Sequence, residues 1–191
     1  MGAALTADGS RPAGAGAAAL VFACGNPDRG DDGIAREVVA RLCGRLGVTP
    51  PAGEAGDPID LQAGVRVRIC RQLLPEWAPE AAAYRRLVFL DAHVRGEPRP
   101  LVCRRLRPED RPPMGISHVM HPEGFLRLVA LLSGRWPEAF ALSVRGHAFE
   151  AGSGLSPAAA ALAAPAAAVL GRLLAAGGNP ARRPAGRLYR V

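Results

Sequence analysis

The sequence predicts an α/β domain of three layers, a mostly parallel twisted sheet with helices on both faces. Two patterns predict it. Short unbroken apolar runs, Ala18 to Ala23 and Leu87 to Leu90, have the length of strands buried on both sides. Between and after them lie segments whose apolar residues recur every three or four positions, the mark of a helix with one covered face. Composition agrees: 49% of the 191 residues are hydrophobic but only 5% are aromatic, so the core is built from Leu, Val, Ile and Ala, which suits helices on a sheet better than an all-β barrel. The length suits one sizeable core, and a single domain is expected over residues 18–179, between a flexible leader at 1–17 and an Arg-rich tail at 180–191.

The first strand ends in Gly25-Asn26-Pro27, a turn signal. After Asp31-Asp32-Gly33, the spacing of Ile34, Val38, Val39, Leu42 and Leu46 predicts a helix. Residues 48–61 are rich in Pro, Gly and acids and read as an exposed loop. Val65, Val67 and Ile69 then alternate with Arg66, Arg68 and Arg71, which predicts a half-buried or edge strand. A short helix is expected from about Pro75 to Ala83, and the strand at Leu87 to Leu90 delivers Asp91 at its end, where α/β sheets carry their sites. Leu101 to Leu106 reads as a further strand and Pro108 to Met114 as a loop. His121-Pro122-Glu123 opens a helix, with His121 as its cap, Pro at the first position and an acid at the positive end; Phe125, Leu126, Val129 and Leu132 are its expected buried stripe. Phe140 to Val144 reads as a strand, and Ser156-Pro157 caps and starts a last helix, kinked at Pro165 and ended by Gly177-Gly178.

The charge balance excludes less than it suggests. The net charge is +7, and all 24 basic residues are Arg, a uniformity that points to coding bias. They are spread along the chain without zinc-finger spacing or an aromatic-interleaved stripe, so no nucleic-acid partner is expected. Cys24, Cys43, Cys70 and Cys103 form no C-x-x-C pair and read as buried free thiols of a reducing, cytoplasmic compartment. No apolar run approaches the roughly 20 residues that span a bilayer, so no membrane partner is expected. The start Met1 to Thr6 fits a loose myristoylation pattern and Ala13 to Cys24 a short lipoprotein signal, but only Arg11 supplies a charged leader and the apolar run serves better as the first core strand.

Three polar clusters follow the strands: Asp31-Asp32, Asp91, and Ser117-His118 in the loop before the Pro122 helix. In a parallel sheet the C-terminal strand ends share one edge, so these distant loops are expected to converge. Each has a plain structural reading as well. Asp31 and Asp32 suit a helix cap, an Asp at a strand end bonds turn amides, and a loop His is often a satisfied surface group. Gly25 and Gly30 allow tight turns, either purely structural or letting a loop approach a substrate tail.

Gly25-Asn26-Pro27-Asp28-Arg29-Gly30-Asp31-Asp32-Gly33-Ile34, placed directly after an apolar strand, resembles the signature of the [NiFe]-hydrogenase maturation endopeptidases, G-N-x-x-x-x-D-[DE]-x-x-G followed by a helix. Here Ala35 or Arg36 stands where that family has its later glycine. Leu87-Val88-Phe89-Leu90-Asp91-Ala92 resembles its strand ending in D-A, Gly115-Ile116-Ser117-His118 its S-H loop, and Ser143 to Pro157 its closing strand, loop and helix. The resemblance implies a phosphorylase/hydrolase-like fold and an endopeptidase, aspartic-type with metal-dependent recognition, that removes the C-terminal peptide of a nickel-loaded large-subunit precursor. It puts the metal-contacting triad on Asp32, Asp91 and His118, with His121 and His93 in reserve; Asp32 and Asp91 are then the candidate catalytic carboxylates, with either a carboxylate or a metal-polarised water making the attack, and Gly25, Asn26 and Asp31 are the substrate-loop candidates. Nickel then arrives with the precursor, and no permanently bound metal is expected. Imidazole and carboxylate are suitable ligands for such an ion, and an incomplete protein set leaves room for the precursor's own groups.

Other readings compete. Cys24 with His118 as base would make a thiol hydrolase, and the Gly-rich turn into a helix suits a nucleotide-binding module, though it lacks both phosphate-loop signatures and two aspartates there repel phosphate. A non-catalytic nickel-sensing assembly chaperone would keep the same triad.

Overall fold

The first strand, β1 (Ala19–Cys24), has every residue buried and lies inside the sheet. In a computed structural model that describes residues 18–50, 58–62, 64–94, 97, 99–110 and 120–175, it leads through a short 3₁₀ turn at Gly30–Gly33 into α1 (Ile34–Leu46). There follow β2 (Ile59–Gln62), β3 (Val65–Cys70), α2 (Ala78–Ala81), β4 (Arg86–His93), β5 (Leu101–Leu106), α3 (Pro122–Ser133), β6 (Glu138–Arg145) and α4 (Pro157–Ala175). The sheet order is β2-β3-β1-β4-β6-β5, with parallel pairing from β3 to β6 and an antiparallel strand at each edge.

Alternation along the strands divides the core in two. Val21, Ala23, Val88, Leu90 and Leu142 face α1 and α4, whereas Leu20, Phe22, Leu87 and Phe89 face α2 and α3. On the second face Phe22 stacks on Phe89 at 5.4 Å and meets Phe125 of α3 edge-on at 5.3 Å. Few aromatics are present, and three of them are spent at this one spot, where truncating Phe22 to Ala would cost about 3–5 kcal/mol. The predicted three layers are therefore present.

Several elements differ from expectation. The loop read over 48–61 ends in β2, which shows only Leu61 to the core and so has no apolar run to betray it; its ladder to β3 and an Arg66–Asp60 pair at 2.8 Å hold it. Consequently β3 is not an edge strand, and its Arg68 is not solvated: it is 6% exposed, pairs with Glu80 at 2.7 Å and lies 4.6 Å over the Trp77 ring. Leu132 is 59% exposed rather than buried, because the last turn of α3 carries Leu131 and Leu132 past the core. Helix α4, 19 residues with mean hydropathy 1.7, is long and apolar enough to cross a membrane by length and composition, contrary to the expectation that no segment comes near. Its Ala159, Ala163, Ala166, Ala167 and Leu170 are buried in the core that α1 shares, so here it serves as a core helix. It runs on through Pro165, which is exposed. The leader at 1–17, the tail at 180–191 and Gly177-Gly178 lie outside the described residues.

Candidate functional site

Strands β1 and β4 are parallel neighbours, yet the chain leaves β1 toward β3 on one side and returns to β4 on the other. Such a switch point opens a crevice at the C-terminal strand ends. Asp32 lies in the turn that follows β1, and Asp91 lies on β4 beside the end of β1. Asp91 is not the end of its strand as predicted: β4 continues to His93 because β6 pairs with it throughout, Asp91 opposite Ser143.

The turn holds Asp32 in place. Gly25 has φ +131, and a Cβ built on it would stand 1.9 Å from the Asp32 carbonyl oxygen, so only glycine fits. The next amide, of Asn26, donates to Asp32 Oδ2 at 2.8 Å, while the Asn26 side-chain oxygen accepts from the Asp28 amide at 3.0 Å and closes the turn on itself. Gly25 and Asn26 thus bracket a carboxylate.

Asp31 faces the opposite way. It has no exposed surface, and its carboxylate accepts from the amides of His147 (2.7 Å), Ala148 (3.1 Å) and Ser156 (2.6 Å) and from the Ser156 hydroxyl (2.7 Å). Burial alone would raise its pKa, but these donors together hold it below the ordinary value. Neither Asp31 nor Asp32 caps a helix, contrary to the plain structural reading, since no side-chain cap bond forms at the 3₁₀ turn or at α1. Asp31 instead ties the site turn to the loop before α4.

Asp91 accepts from the Ala92 amide at 2.7 Å, and the residue keeps exposed surface. Desolvation of its carboxyl pushes its pKa up to about 7; the Ala92 amide opposes the shift, and the Asp32 charge adds to it. The Asp32 charge therefore reaches Asp91 at this edge.

Ser117 and His118 lie outside the described residues. Among the described residues no group of three His, Cys, Asp or Glu side chains could hold a metal ion. His121 occupies the N-cap position of α3 but makes no side-chain cap bond, so its imidazole is not spent there as predicted. His93 is two residues beyond Asp91 on β4 and so on the same face. Among the described residues its ring nitrogens have no hydrogen-bond partner of sound geometry; burial pushes its pKa down against a weaker opposite pull from the Arg99 backbone, which favours the neutral form at pH 7.

No family model and no curated protein matches this sequence. Solved structures do. A [NiFe] hydrogenase maturation protease from Thermococcus kodakarensis superposes with TM-score 0.57 at 15% identity, covering 82% of this chain and 92% of its own. The hydrogenase maturating endopeptidase of E. coli gives 0.55 at 20% identity over 84% and 93%, and a hydrogenase 3 maturation protease gives 0.53 at 16% over 85% and 91%. The chain has the fold of these maturation proteases. At such identities the likeness speaks for the fold, over nearly the full length of each.

Within this maturation-protease fold, three pairings near the candidate site left no mark in the local sequence. Ser156 was legible as a cap, and its hydroxyl does accept from the Ala159 amide at 3.2 Å, but its bond to Asp31 spans 125 positions and left no local trace. Ser143 reaches the site only through the register of β6 with β4. Cys70 and Cys24, far apart in sequence, end neighbouring strands with their sulfurs 3.2 Å apart.

Proposed function

We propose that this protein is a cytoplasmic endopeptidase of hydrogenase maturation, which removes the C-terminal peptide of a nickel-loaded [NiFe]-hydrogenase large-subunit precursor. The observation that carries the reading is the meeting of Asp32 and Asp91 at the switch point of a fold shared with named maturation proteases. Two like charges held together favour the arrival of a cation, and in this reading the cation is the precursor's own nickel. Asp32, Asp91 and His118 ligate it from one side and the precursor's groups from the other, which sets the scissile peptide against the carboxylates. Asp91, able to carry a proton near neutrality, serves as general acid or base while water attacks the peptide carbonyl.

The thiol-hydrolase alternative is weakened by Cys24 itself. Its hydrogen bond to Cys70 and then its burial hold its thiol pKa well above the ordinary value, the reverse of an activated nucleophile. The test is to mix the protein with nickel-loaded precursor and weigh the large subunit. The expected product is shortened at its C-terminus, with little product from Asp32→Asn or Asp91→Asn. A full-length subunit bound stably to wild-type protein would mean an assembly chaperone, and normal processing by either variant would refute the site.

A further inference from the structure

On the face that packs α2 and α3, one row of side chains crosses the C-terminal edge of the sheet: Cys70 on β3, Cys24 on β1, then Asp91 on β4. Cys24 and Cys70 are register partners on parallel strands and their sulfurs lie 3.2 Å apart. Cys43 and Cys103 belong to the core on the other face, and all four cysteines are free. A disulfide needs Cα atoms roughly 4.4–6.8 Å apart with side chains facing each other, and paired strands sit about 4.8 Å apart. With the sulfurs already touching, closure to the bonded distance of about 2.05 Å asks for a shift of about 1 Å.

We propose that Cys24 and Cys70 form a redox modification site, closed to a disulfide by hydroperoxides and reopened by dithiols, that governs the neighbouring carboxylates. Cys24, 8% exposed against 2% for Cys70, is the sulfur an oxidant reaches. Its thiolate attacks hydrogen peroxide; the O–O bond breaks, a sulfenic acid forms, and one water leaves with the thiol proton. The Cys70 sulfur then attacks the Cys24 sulfur, the S–O bond breaks and a second water departs. Two thiols and one peroxide thus give one disulfide and two waters. The high pKa of Cys24 slows the first step, while contact between the sulfurs speeds the second, so a sulfenic acid does not accumulate.

The link to the site is the backbone. Gly25 follows Cys24, donates its amide to the Cys70 carbonyl at 2.9 Å, and has no free space against Asp32. A pull of Cys24 toward Cys70 therefore displaces the bracket that aims Asp32.

The disulfide itself is independent of the peptidase reading; its control of processing rests on that reading. The test is to treat the intact protein with hydrogen peroxide, alkylate it in denaturant and map peptides by mass spectrometry. The expected result is loss of two of the four alkylatable thiols, a Cys24–Cys70 linked peptide, and recovery with dithiothreitol. Oxidation should also move the Asp91 carboxyl resonance and slow precursor processing at least about 10-fold, and Cys70→Ala should abolish both responses. Absence of the linked peptide would overturn the pair. Formation of the link with an unmoved Asp91 resonance would overturn its control of the site. A protein that forms the link and moves Asp91 on oxidation, yet does not process precursor when reduced, would sink the peptidase reading alone.

Discussion

At its start β4 carries Arg86, buried and paired in register with Glu138 at the start of β6; the guanidinium bonds that carboxylate and also the Leu173 carbonyl near the end of α4. Five positions later the same strand carries Asp91, whose charged neighbour is another carboxylate. One end of the sheet thus sets opposite charges together and uses up its donors and acceptors. The other brings two carboxylates within reach of each other's charge. Opposite charges in a desolvated place fix strands and helix to one another, whereas like charges brought together raise the energy of the folded state.

Neutralising the C-terminal edge should have the largest effect, and on activity: Asp32→Asn or Asp91→Asn is expected to slow precursor processing by more than about 100-fold while the protein remains folded, as rate assays and circular dichroism would report. The N-terminal edge should behave in reverse. Arg86→Met removes the buried partner of Glu138, which keeps only the longer contact to Arg105 at 3.7 Å, and is expected to cost about 1–3 kcal/mol in urea unfolding, with processing per folded molecule retained. Should Arg86→Met spare stability but abolish processing, the division between the two ends is mistaken.

Asp31→Asn sits between these cases. It leaves four donors facing an amide that accepts at one atom only, and it should cost about 1–3 kcal/mol and also slow processing by loosening the turn. Because the folded pKa of Asp31 is depressed, the stabilisation from its charge is present above the ordinary carboxylate range and is lost as pH falls through the depressed value. Acid unfolding curves should therefore lose that limb in Asp31→Asn. The smallest effect expected is on stability in Asp91→Asn. A raised carboxylate pKa means that the folded state binds the proton more tightly, so stability falls as pH rises from about 4 to about 7. The amide should remove that fall, gaining less than about 1 kcal/mol at pH 8, since the residue keeps exposed surface, and nothing at pH 4.

What could be read from the chain alone depended on whether the cause was local. The buried strand at β1 and the amphipathic stripes of α1 and α3 are written in adjacent residues, and each lies where the periodicity placed it apart from Leu132. Strand β2 is held by its ladder to β3, with three of four residues exposed, and no hydrophobic pattern records that. For the site, Asp32 and Asp91 were legible because each follows an apolar run, and the parallel sheet explains their meeting. The inward turn of Asp31 was not, since its partners His147, Ala148 and Ser156 come from the far end of the chain. The contact of Cys24 with Cys70 was likewise hidden, because it depends on the register of two strands and not on spacing.

The claim beneath all of this is that the two carboxylates lie within reach of each other's charge. Titrating the Asp91 side-chain carboxyl by carbon-13 NMR, in wild type and in Asp32→Asn, tests it most directly. The account predicts a wild-type midpoint near 7 that moves down, toward but not to the ordinary carboxylate value, when Asp32 loses its charge. A midpoint that is ordinary from the outset, or one indifferent to Asp32, would contradict it.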